Sequence, residues 1–141
     1  MTIISDQKGA TALGEALTMN KRLRVLNLRL NRIPDGTGGV AIFNGLATHT
    51  TLEVLDLAHN LLGDETAAPR EVLPKQESLL SLNIAGNKAL GLETSQVLLQ
   101  AVKKNTTLCF FDTRGSGVAE DCMAAMEGKV RDVVRAIKRQ S

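Results

Sequence analysis

The sequence predicts an α/β solenoid: an arc of about four strand-helix repeats, with a parallel sheet on its concave side and a C-terminal capping helix. The pattern L-x-x-L-x-L-x-x-N-x-L, or a close relative, begins at Leu23, Leu52, Leu79 and Leu108, and successive units start 29, 27 and 29 residues apart. Within each unit apolar residues alternate with the period of a strand. Between units they recur at i, i+3 and i+4, the period of a helix with one buried stripe. Stacked units bury one continuous core, so residues 1–141 are read as a single domain.

Residues 1–22 hold one helical stretch, Gly9 to Leu17, with no strand pattern and no recognisable N-terminal cap. The strand starting at Leu23 is therefore expected to present an open edge, which natural proteins usually cover. A preceding repeat or a partner would supply that cover, so the chain reads as the C-terminal part of a longer array. The repeats span residues 23–118. Leu26 and Leu28, Leu55 and Leu57, Leu82 and Ile84 fall on one strand face and bury inward, while Asn27, Asp56, Asn83 and Asp112 point onto the concave surface. Asn31, Asn60 and Asn87 stand where the chain leaves each strand, where an amide can satisfy backbone groups of neighbouring turns that would otherwise be buried unpaired. In the fourth unit Phe111 and Thr113 replace leucines and Ser116 replaces the asparagine, as suits a terminal repeat. Gly39 to Ala47 and Glu93 to Val102 are the connecting helices. Pro69 and Pro74 interrupt the remaining connection, and each removes a helical hydrogen bond unless it sits in a first turn, so a short or broken helix is expected there.

These units resemble the leucine-rich repeat. A period near 28 with a full helix on the convex side is similar to the ribonuclease-inhibitor-like class, over residues 8–118.

Catalytic and metal chemistry find little support. Cys109 and Cys122 form no C-x-x-C pair, and with no signal peptide or membrane-length apolar run they read as reduced thiols of a cytoplasmic protein. Asn105-Thr106-Thr107 fits a glycosylation sequon but parallels His49-Thr50-Thr51 as a helix-to-strand loop. The loop Asp35-Gly36-Thr37-Gly38-Gly39 runs into a helix yet lacks the P-loop lysine and a full G-x-G-x-x-G, so it is read as a turn. His49 and His59 have no second ligand at metal spacing and are expected to be solvated loop residues. Asp56 and Asp112 lie two repeats apart, about 10 Å at strand spacing, which suits recognition better than acid-base work. No catalytic residue, cofactor or metal ligand is assigned.

The candidate binding surface is the mixed polar face formed by Asn27, Arg29, Asp56, Asn83, Phe110, Asp112 and Arg114, which suits a protein partner. From Glu120 onward the chain changes character. Met123, Met126, Val130, Val133, Val134 and Ile137 recur at helical spacing, and Lys129, Arg131, Arg135, Lys138 and Arg139 face Asp132 alone. Residues 119–141 are read as a basic amphipathic helix that caps the last repeat, ahead of a docking helix for an acidic or membrane surface and a calmodulin-type target. Its outer arginines, Arg135 and Arg139, can still attract an acidic partner. With no Trp or Tyr and only 3 Phe, base stacking is poorly supplied and nucleic-acid binding is not expected.

Asn105-Thr106-Thr107-Leu108 and Phe111-Asp112-Thr113-Arg114 with the basic closing helix are similar to the C-terminal end of the dynein regulatory complex subunit 5 family. That resemblance implies a structural subunit of the axonemal nexin link in a cilium or flagellum, with no catalytic residues. The reading is a non-enzymatic protein-protein interaction scaffold of the cytoplasm. Its alternative is a regulator of an enzyme, either a ribonuclease-inhibitor-like inhibitor or a leucine-rich-repeat GTPase activator.

Overall fold

The computed structural model describes residues 4–67 and 71–140. In chain order the elements are α1 (Gln7–Met19), β1 (Val25–Asn27), α2 (Thr37–Thr48), β2 (Val54–Asp56), α3 (Asp64–Ala67), α4 (Val72–Lys75), β3 (Ser81–Asn83), α5 (Leu92–Lys104), β4 (Phe110–Asp112) and α6 (Glu120–Arg139). The four strands form one parallel sheet in the order β1-β2-β3-β4, each beside its neighbour in sequence. Rungs stack in register, with Leu26, Leu55, Leu82 and Phe111 aligned across the sheet. That is the expected solenoid.

Leu52, Leu55, Leu57 and Leu79 are fully buried between sheet and helices, and Leu82 and Ile84 join the same core. Leu26 is only half-buried, because β1 is the edge of the sheet among the described residues. The helix layer is drawn tight by glycine. A Cβ on Gly45 of α2 would lie 2.7 Å from the Gly14 carbonyl oxygen of α1, so alanine at that crossing would force the helices apart.

The asparagine positions work as a ladder. Asn60 Oδ1 accepts from Ile33 N–H (3.1 Å), while its Nδ2 donates to the carbonyls of Leu28 (2.9 Å) and Leu57 (3.0 Å). Asn87 repeats this with Leu62 N–H (3.0 Å), Leu57 (3.0 Å) and Ile84 (2.7 Å). Ser116 ends the series, donating to the Ile84 carbonyl at 2.6 Å and accepting from Asn87 N–H at 3.2 Å.

A second ladder runs along the other end of the strands. Asn20, His49, Gln76 and Asn105 each follow a helix and accept from two backbone N–H groups of the next loop. Gln76 Nε2 also donates back to the carbonyls of Leu46 (2.7 Å) and His49 (2.9 Å), and Asn105 Nδ2 to those of Leu73 (2.8 Å) and Gln76 (3.3 Å). This corrects the solvated-loop expectation for His49, which is buried, whereas His59 is exposed. Burial first, and the Lys21 charge second, hold the His49 imidazole below its ordinary pKa.

One further point differs from expectation and one agrees with it. Helix α1 does have an N-terminal cap: Asp6 accepts from Gly9 N–H at 2.6 Å. The interrupted connection does break, into the four-residue helices α3 and α4. Pro74 is the third residue of α4, inside the first turn, where a missing N–H costs no intrahelical bond; Pro69 lies outside the described residues.

Helix α6 closes the last repeat. Cys122 and Met126 enter the core, and Val133 is buried outside the main cluster. Lys129 Nζ donates to the carbonyls of Lys103 and Asn105, both at 2.7 Å, satisfying acceptors at the C-terminal end of α5. Residues 135–140 are all exposed, Ile137 among them, so the buried stripe ends a turn earlier than its apolar spacing suggests.

Candidate protein-interaction surface

The outward side chains form rows because the strands are in register. Val25, Val54, Ser81 and Phe110 make one row, and Asn27, Asp56, Asn83 and Asp112 the next. Arg29, Ala58, Ala85 and Arg114 follow two residues on, although Ala58 in the middle of this row is fully buried. Val25 is 59% exposed and Phe110 is 50% exposed, so the first row is apolar at both ends. Sequence reasoning named Phe110 there and missed Val25, although the same alternation predicts both.

The second row has a structural duty as well. Each side-chain Oδ1 accepts from the backbone N–H two residues on: Arg29 (3.0 Å), Ala58 (2.9 Å), Ala85 (2.9 Å) and Arg114 (3.0 Å). These bonds turn the chain out of the strand, which explains why only Asn or Asp occupies the row. A partner can use the second polar atom of Asn27, Asp56 and Asn83.

Asp112 departs from the expected accessible carboxylate, since it is only 8% exposed. Arg114 covers it, donating from Nε at 3.0 Å and Nη2 at 2.8 Å. Those hydrogen bonds hold the Asp112 carboxyl below the usual carboxylate range, against burial, which pushes it up. What a partner meets at this rung is the exposed Arg114 guanidinium. Arg29 sits more loosely, 3.9 Å from Asp56. Beside Arg114, a groove of about 430 Å³ opens between β4 and α6, lined by Phe110, Asp112, Met123, Glu127 and Arg131 among others.

Arg135 and Arg139 stand apart, on the exposed last turns of α6, with Arg135 3.8 Å from Asp132. Lys129 does not join them as a docking charge, because its ammonium is spent on the end of α5.

The glycine-rich loop is filled from within the chain. Gln7 Oε1 accepts from Gly38 N–H at 2.5 Å and its Nε2 donates to the Asp35 carbonyl at 2.6 Å. The Asp35 carboxylate in turn accepts from Thr66 N–H (2.8 Å) and Thr66 Oγ1 (2.7 Å) at the start of α3. Burial alone would raise the Asp35 pKa, but these bonds, with others from Gly63 and Glu65, bring it below the ordinary value. Among the described residues no three His, Cys, Asp or Glu side chains gather as a metal site, and no helix is long and apolar enough to cross a membrane.

A family model described as Leucine Rich repeat matches residues 48–67, the second strand and its outgoing turn. Leiomodin-1 actin-binding site 2 superposes with a TM-score of 0.79 at 17% identity, over 96% of this chain and 78% of that one. This is a leucine-rich repeat fold. The tropomodulin C-terminal domain from Caenorhabditis elegans also superposes, with a TM-score of 0.59 at 12% identity, over 93% of this chain and 96% of that one. No curated protein matches the chain. In this leucine-rich repeat arc the outward rows are the concave face.

Proposed function

We propose that this leucine-rich repeat chain is a non-enzymatic interaction module of the cytoskeleton that docks a protein on its concave face. The observation carrying this is the face itself: in-register rungs with exposed Val25 and Phe110 at the ends of one row and Arg29 and Arg114 at the ends of another. A broad concave surface mixing apolar, amide and arginine groups fits a protein better than a small ligand.

Actin is the first partner to test, on the strength of the structural likeness to the actin-binding site of leiomodin-1. Cosedimentation with filamentous actin should carry the parent chain into the pellet with saturation. Ser81→Arg with Phe110→Ala, which alters two outward side chains, should leave the chain in the supernatant. A parent chain that never pellets removes actin from the reading.

A second reading rests on the C-terminal segment, where β4, Arg114 and α6 occupy the stretch resembling the dynein regulatory complex subunit 5 family. Under it the partner is an axonemal subunit. Copurification from ciliated cells of nexin-link proteins would support it, whereas recovery of a nuclease or a small GTPase would favour the enzyme-regulator alternative.

A further inference from the structure

We propose that the outer edge of β1 is a second docking site, which takes an acidic, extended segment of a partner protein as a fifth strand. It shares Val25, Asn27 and Arg29 with the concave-face reading, but it rests on the backbone edge of β1 and on Lys21, Arg22, Arg24 and Arg32, which that reading does not use.

The chain N-terminal to β1 has the frame of a repeat's helical half. Ile4 N–H donates to Asn31 Oδ1 at 3.0 Å, as Ile33 N–H does to Asn60 at 3.1 Å and Leu62 N–H to Asn87 at 3.0 Å. Arg32 N–H donates to the Ile4 carbonyl at 3.0 Å, as Leu61 N–H does to that of Ile33 at 3.0 Å. Helix α1 then packs on α2 as one repeat on the next. No described strand accompanies this half-repeat, and β1 remains the sheet edge. Leu28 N–H and the Arg24 carbonyl are turned toward β2, so strand alternation turns the N–H and C=O groups of Val25 and Asn27 outward.

Below that edge lies a partly covered apolar floor. Leu13, Leu23 and Leu26 are half-buried and pack on the core. Their counterparts one repeat on, Ile42, Leu52 and Leu55, are at most 1% exposed. An added strand with inward apolar side chains would bury the first set as β1 buries the second.

Charge selects the occupant. Lys21, Arg22, Arg24, Arg29 and Arg32 are all exposed, and no Asp or Glu occurs between residues 16 and 34. Among the described residues the ion pairs at this edge come from the β2 side, from Glu53 to Arg24 at 3.2 Å and from Asp56 to Arg29 at 3.9 Å. A second copy would bring the same basic residues against these, which repels. An acidic strand meets five cations beside an open hydrogen-bonding edge.

The test uses a synthetic peptide alternating glutamate with valine, titrated into the full chain and followed by amide NMR and hydrogen exchange. Binding should weaken as salt rises, and the amides of Val25 and Asn27 should gain protection. Arg22→Glu with Arg24→Glu should weaken binding by at least about tenfold at an unchanged melting temperature. A peptide alternating lysine with valine should not bind. The proposal is overturned if the acidic peptide fails to bind, if its shifts are confined to β4 and α6, or if the double variant binds it as tightly as the parent. Concentration-dependent protection of Val25 and Asn27 without peptide would also overturn it, by giving the edge to a second copy.

Discussion

Replacing Asn60 by alanine measures how far the asparagine ladder holds the repeats together. The side chain is buried and bonds Ile33 N–H and the Leu28 and Leu57 carbonyls. The two carbonyls keep a second donor each, Asn31 for Leu28 at 2.9 Å and Asn87 for Leu57 at 3.0 Å. Ile33 N–H keeps none among the described residues, and Ile33 itself is fully buried. An orphaned buried donor costs about 1–3 kcal/mol, and each half-lost carbonyl about 0.5–1 kcal/mol, so Asn60→Ala should destabilise by about 2–5 kcal/mol. Ser116→Ala should cost about half of that, since Ile84's carbonyl retains Asn87 and only the half-buried Asn87 N–H loses its partner. Urea unfolding should show a lower midpoint at unchanged slope, with Asn60→Ala well below Ser116→Ala. An Asn60→Ala midpoint equal to the parent's would refute the ladder as a source of stability.

Leu55→Ala empties the centre of a middle rung and should cost about 2–5 kcal/mol, read as a lower urea midpoint; a midpoint matching the parent would contradict the inward assignment. Val133→Asp should lower the melting temperature by burying an unpaired charge, whereas Arg135→Glu with Arg139→Glu should leave it nearly unchanged and weaken, in a salt-dependent way, attachment to acidic surfaces. If Val133→Asp melts like the parent, α6 is not a cap. His49 must stay neutral to accept from Thr51 and Leu52 N–H, and its folded pKa lies below its unfolded one. The unfolded chain therefore binds the extra proton first: this stability is complete above about pH 6.5 and is lost as pH falls toward the lower folded pKa. His49→Gln, copying Gln76, should flatten the fall in urea midpoint between about pH 7 and 5, and an equally steep fall in the variant would remove His49 as its cause.

The fold was legible because the repeat signal is a fixed spacing of few residue types: leucine at nearly every inward position of the first three units, and an asparagine where the chain turns. The second ladder was not. Asn20, His49, Gln76 and Asn105 share a position and a hydrogen-bonding role but no single residue type, and only their spacing of 29, 27 and 29 residues, equal to that of the leucines, marked them. The Asp6 cap escaped notice because its third following residue is Gly9, so no reciprocal capping pair announces it. On the concave face the rows were readable from strand alternation. The burial of Asp112 under Arg114 needed geometry, though two outward residues of opposite charge at i and i+2 were a hint. The basic β1 edge is plain in residues 21–32, but a net charge of only +2 over the whole chain, with a formal +4 concentrated in residues 129–141, hid it.

The proposed role is protein binding on the concave face. Its most direct measurement is affinity capture from native cells with three baits in parallel: the parent chain, Ser81→Arg with Phe110→Ala, and Arg135→Glu with Arg139→Glu, each first shown to melt like the parent. Docking on the concave face should leave a protein retained by the parent and by the helix variant but lost from the concave variant, with hydrogen-exchange protection in the purified complex at residues 81–85 and 110–114. A partner retained equally by all three baits, or protection confined to α5 and α6, would contradict it.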